Sequence, residues 1–90
     1  MILKTTRFED WDRFMEVFAG DGGEKRREHG CQGALIFRDP NEEDRVWAVF
    51  DWDEDGWAAF VNDPAVPPIM QRAGHKSRPQ GAEFAVRLDA

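Results

Sequence analysis

The chain has 90 residues, enough for one small domain that buries only about 60 to 65% of the surface its unfolded form exposes. Twelve Lys and Arg against eighteen Asp and Glu give a formal charge of -6, which speaks against a phosphate-backbone partner and so against nucleic acid. A single cysteine excludes an intrachain disulfide, and no apolar run approaches the roughly 20 residues of a membrane span, so a cytoplasmic protein with no membrane partner is expected.

Met1 to Arg7 alternates Ile2, Lys4, Thr6 against Leu3, Thr5, Arg7 and predicts a first strand. Phe8, Trp11, Phe14, Met15 and Phe18 then recur at helical spacing, with Thr6 and Glu9 placed to form a capping box. Gly20, Asp21, Gly22 and Gly23 interrupt this helix, and EKRREHG predicts a further turn or two that stops at Gly30. The cations Lys25, Arg26 and Arg27 read as solvated helix-end charge. His29 and Cys31 straddle a helix-to-strand junction with no third orienting group, which argues against a nucleophile and base pair.

CQGALIFR at 31–38 and RVWAVFDW at 45–52 predict two strands joined through DPNEED as a hairpin. Val46, Ala48, Phe50 and Trp52 share one face of the later strand and Trp47 and Val49 the other. Both faces are therefore apolar and both need cover. Trp57, Phe60 and Val61 carry a short helical stripe. A second segment, NDPAVPPIMQRAG, is expected to become regular helix at Pro67 or later and to stop at Gly74. HKSRPQG is a loop, and AEFAVRLDA predicts a closing strand with Phe84, Val86 and Leu88 on one side.

The order strand, helix, strand, strand, helix, strand is that of a ferredoxin-like βαββαβ domain over residues 1–90, an α+β fold whose four-stranded antiparallel sheet carries both helices on one face. Four Trp and seven Phe are more than one small monomer readily hides. A second copy of the chain, its sheet packed against the first as a homodimer, is the expected cover for the other face.

DWDEDGW at 51–57 imitates the first half of a calcium loop through Asp51, Asp53, Asp55 and Gly56. The ninth position is Ala59 and the twelfth is Asn62 where a bidentate Glu is needed, and a strand precedes it where a helix belongs. No metal is expected, and Asp53 reads instead as the N-cap of the following helix.

Phe8 and Trp11 at the first helix, RREHG, FRDPNE, VFDWDEDGWAAF and DPAVPPIMQRAG together make the chain resemble the small stand-alone dimeric α+β barrel proteins grouped with antibiotic biosynthesis monooxygenases. The resemblance runs over almost the whole chain. It implies two ferredoxin-like sheets paired into a barrel, with a cavity between sheet and helices in each subunit. It also implies an activity toward aromatic or polyketide-like substrates, oxidation or cyclisation, without a cofactor. Two features depart from the family's pattern: His75 follows the AG where relatives commonly carry an apolar residue, and Pro67 and Pro68 shorten the last helix at its front. Distant haem-degrading relatives use an Asn on the first strand, which ILKTTR lacks, and His75 is the sole sensible iron ligand.

The expected ligand pocket is Trp52, Trp57, Met70 and His75, with a small aromatic molecule as its occupant. His75 is the best catalytic candidate because His titrates near neutrality. Trp47 is a further ring for such a pocket. Arg38 is expected to pair with Asp39 or Glu42, and Asn62 to cap the helix that follows it. The other reading of the same residues is a non-catalytic homodimeric binding or accessory module.

Overall fold

The computed structural model describes all 90 residues. Eight elements run in the order β1 (Ile2–Arg7), α1 (Trp11–Ala19), α2 (Asp21–Glu28), β2 (Ala34–Arg38), β3 (Arg45–Phe50), α3 (Glu54–Val61), α4 (Val66–Ala73) and β4 (Gln80–Glu83). The sheet is antiparallel throughout in the order β2-β3-β1-β4, which is the ferredoxin-like arrangement. Each helical region is split in two, as the interruption after Phe18 and the two segments between Trp57 and Gly74 predict, though with shifted bounds. The first breaks at Gly20, and α2 already begins at Asp21, so Gly22 and Gly23 are helical where an interruption was expected. The second breaks across Asn62 to Ala65, and α4 starts at Val66 with Pro67 and Pro68 in its first turn, where their missing amide hydrogens cost nothing.

Register settles which residues share a face. Ile2, Lys4 and Thr6 of β1 and Val46, Ala48 and Phe50 of β3 turn toward the helices and are buried. Phe14, the deepest aromatic, joins Phe8, Val46 and Ala73 in one core cluster, while Phe50, Trp52, Phe60 and Val66 centre another. Burying each such side chain contributes about 1.5 to 3 kcal/mol, and the stacked and tilted contacts that run from Phe8 through Phe14 and Phe18 to Phe50 join the two clusters.

The opposite face carries Leu3, Leu35, Phe37, Trp47 and Val49, aligned by the pairs Leu35–Val49, Leu3–Val49 and Phe37–Trp47. Leu35 is 64% and Phe37 53% exposed, while Leu3, Trp47 and Val49 are half-buried. Ion pairs of Arg7 with Glu42 and Asp44, and of Arg45 with Glu42, stand at one end of this surface. An apolar centre with a charged margin is how a protein–protein interface is built.

Several local expectations are corrected by longer-range contacts. The cap of α1 is Asp10, which accepts from the Arg13 amide at 2.9 Å, and not a Thr6–Glu9 box, because Thr6 lies inside β1 with its hydroxyl already engaged. Asn62 closes α3 and does not start α4; the next residue, Asp63, accepts from the Ala65 amide instead. Arg38 pairs with neither Asp39 nor Glu42 but donates to the Glu43 carbonyl and lies over the Trp11 ring at 4.1 Å. The closing strand ends at Glu83, one residue before the Phe84 amide makes a last bond to the Met1 carbonyl at 3.0 Å, and Phe84, Val86 and Leu88 are exposed, not ranged along a strand as expected.

Within DWDEDGW the expected helix cap is present. The Asp53 carboxylate accepts from the Gly56 amide at 2.7 Å and caps α3. Gly56 is required by close approach, since a Cβ there would fall on the Trp52 indole. That indole is fixed from its other side by donating to the His29 carbonyl at 2.8 Å. No helix is long and apolar enough to cross a membrane.

Candidate functional site

Between the sheet and the helices lies a cavity whose gap measures ≈ 580 Å³ with its mouth, of which ≈ 50 Å³ is room for water centres. The enclosed volume holds a few waters at about 10 to 15 Å³ each, and the larger figure takes in open solvent at the mouth. Its walls are mostly apolar: Phe14, Phe18, Phe50 and Trp57 among the rings, with Met70 from α4. The polar groups in the wall are few, namely Lys4, Thr5, Thr6, Arg26 and His75.

His75 reaches the cavity because α4 stops at Gly74 in the left-handed conformation, φ 78°, which glycine adopts without strain. The chain then turns back onto the sheet: His75 bridges Phe8, and the Lys76 amide donates to the Arg7 carbonyl at 2.8 Å. The imidazole packs on Phe14 with 5.4 Å between ring centres. Its Nδ1 lies 3.2 Å from the Thr6 hydroxyl, which lies 3.0 Å from the Ser77 carbonyl. A hydroxyl has one proton, and the Ser77 carbonyl can only accept. Thr6 therefore donates to Ser77 and accepts from His75 Nδ1–H, which assigns the proton to Nδ1 and leaves the lone pair on Nε2. Nε2 has no hydrogen-bond partner, and no buried polar side-chain atom is sealed without one, so this nitrogen is open to a visitor. Burial pushes the imidazole below its ordinary pKa, which keeps it neutral at pH 7.

Lys4 sits on the helix-facing row of β1, an unusual place for an ammonium. Glu54 neutralises it at 2.9 Å, and the Trp57 ring lies beneath it at 4.7 Å. Arg26 is buried, 8% exposed, and has no carboxylate partner. Both cations escape a local sequence reading, since one resembles a strand's polar face and the other a helix-end charge run.

Of the expected pocket residues, Trp57, Met70 and His75 line the cavity, while Trp52 stands one layer back, edge-on to Trp57 at 6.0 Å and part of the core. Trp47 is on the opposite face of the sheet, where its indole donates to Asp39 at 2.8 Å and helps hold that carboxyl below its usual range. His29 bonds Asp63 at 3.0 Å while the Cys31 thiol donates to the Gly33 carbonyl, so the two do not meet. Glu28, His29 and Asp63 cluster closely enough to suit a cation, and the Lys25 ammonium, 2.9 Å from Glu28 and 3.6 Å from Asp63, already pairs with both carboxylates.

No family model matches the chain, and no curated protein matches it in sequence. Solved structures do match in fold. SnoaB, a cofactor-independent oxygenase from Streptomyces nogalater, superimposes with a TM-score of 0.69 at 17% identity over 99% of this chain and 94% of its own. An antibiotic biosynthesis monooxygenase gives 0.58 at 15% identity, covering 97% of this chain and all of its own. A NIPSNAP domain protein from Burkholderia xenovorans gives 0.62 at 14% identity over 99% and 95%. The chain thus has the ferredoxin-like α+β fold of antibiotic biosynthesis monooxygenase-like proteins.

Proposed function

We propose that the chain is a small-molecule enzyme that binds a planar aromatic or polyketide-like substrate between sheet and helices and oxidises it without a cofactor. The observation that carries this reading is the apolar cavity lined by a neutral histidine whose Nε2 has no protein partner. The fold shared with a cofactor-independent oxygenase supports it.

In such a reaction dioxygen is the oxidant, and the protein's task is to make the substrate electron-rich. His75 Nε2 removes a proton from an acidic ring CH₂ flanked by a carbonyl or phenol system, and the carbanion passes its electrons to dioxygen as a C–O bond forms. The His75 proton returns to the peroxide. Loss of the second C–H proton then breaks the O–O bond, giving a ketone and one water for each CH₂ and O₂ consumed. The walls orient the ring and exclude water, which protects the carbanion from reprotonation. Thr6 holds the imidazole in the tautomer that this step requires.

The active form is proposed to be a homodimer joined through the uncovered sheet face, with Leu35, Phe37 and Trp47 at the seam. One observation favours the alternative of a non-catalytic homodimeric binding module: His75 is oriented by a neutral hydroxyl, and no carboxylate stands behind it to stabilise an imidazolium.

Filling the cavity tests both readings at once. Met70→Trp is expected to weaken binding of 1-naphthol, measured by calorimetry, at least about tenfold while the fold survives, because the added ring occupies the ligand's space. Unchanged affinity, or no binding by the unmodified protein, would contradict a ligand in this cavity.

A further inference from the structure

Arg26 is the one buried cation of the cavity wall without a neutralising partner. Its Nη2 donates to the Phe18 carbonyl at 2.8 Å, and the guanidinium lies 3.9 Å over the Phe18 ring and 5.5 Å from the Phe50 ring. One carbonyl and two ring faces do not cancel a full charge. Four of its five N–H donors remain without a protein acceptor. Since no buried polar side-chain atom is sealed without a partner, Nε and Nη1 open onto accessible space. The sequence makes room for the group at Gly22, where a Cβ would stand 3.2 Å from Nη1. An apolar side chain of the same volume would fill this place without the cost of burying a charge. Burial in fact pushes the Arg26 pKa down to about 10, which still leaves it charged at neutral pH.

We propose that Arg26 is the anion anchor of the cavity, and that the ligand is a planar apolar molecule bearing one carboxylate. This rests on the cavity being the ligand site. A planar guanidinium fork fits a carboxylate through two parallel N–H bonds. A monoanion is favoured over a phosphate dianion because Lys4, the other cation of the wall, is already neutralised by Glu54. The ligand's ring would lie among Phe50, Trp57 and Met70, and its carboxylate would supply the missing counter-charge.

The test compares 2-naphthoate with the uncharged 2-naphthamide by calorimetry. The unmodified protein is expected to bind the acid about tenfold or more tightly than the amide. Arg26→Met, which exchanges a buried charge for an apolar chain of similar length, abolishes that preference, the acid losing more affinity than the amide. Arg26→Lys retains part of the preference, and Met70→Trp weakens both probes. Equal affinities for acid and amide in the unmodified protein would overturn the anion anchor while leaving the cavity reading intact. So would a preference that survives in Arg26→Met, or an acid that binds Met70→Trp undiminished. Failure of both probes to bind overturns the two together.

Discussion

Phe37→Glu is expected to convert the protein from a dimer into a monomer at tens of micromolar, read as a halving of mass by light scattering. Phe37 is 53% exposed beside Trp47 on the uncovered sheet face. Burial of a Phe contributes about 1.5 to 3 kcal/mol, and a carboxylate in its place carries a desolvation cost of several kcal/mol more. In a two-fold interface the substitution enters twice. A loss of at least about 6 kcal/mol follows, a factor of about 10⁴ in the dimer constant. The monomer should remain folded, because the side chain makes no contribution to either core cluster on the other face. A monomeric parent protein, or a Phe37→Glu variant of unchanged mass, would refute the sheet-face dimer.

His75→Gln should lower kcat for oxidation of a hydroxylated anthrone by about 10² to 10⁴, followed as oxygen uptake, with KM changed little. Gln can keep a hydrogen bond to Thr6 but has no basic lone pair of comparable strength. The parent enzyme's rate should be flat around neutrality and fall only as pH drops through a value below 6.5, since burial disfavours the imidazolium. The same shift carries a stability consequence of definite sign. Below pH 6.5 the unfolded chain binds a proton at this position more readily than the folded one. The contribution of His75 is therefore complete above the unfolded value and is lost as pH falls through the folded one, a dependence that His75→Gln removes. Turnover by the variant within a few-fold of the parent would dismiss His75 as the base and favour the binding-module reading.

Local pattern carried the architecture well. The Phe8, Phe14, Phe18 stripe, the two-faced hairpin and the Asp53 cap rest on contacts within a strand pair or a few helical turns, and these are what periodicity encodes. The site was less legible because its determinants join distant parts of the chain. Thr6 reads as a helix cap from its neighbours, yet its hydroxyl is spoken for by His75 and Ser77, some seventy residues away. Lys4 reads as the polar half of an alternating strand, yet its partner is Glu54 on α3. Arg26 lies in a KRR run that reads as solvated, and the closeness of α2 to Phe18 and the bare position Gly22 let it be buried. Trp52 and Trp57 are indistinguishable in sequence, and what separates them is the helix start at Asp53, which turns one indole to the core and the other to the cavity.

The most direct test of the account is a crystal structure of the protein soaked with a hydroxylated anthrone. The prediction is a ring system between sheet and helices against Trp57 and Met70, with its acidic carbon or oxygen within hydrogen-bonding reach of His75 Nε2. A cavity closed by its own side chains, or a ligand bound outside it with His75 untouched, would contradict the claim that this cavity is where the protein works.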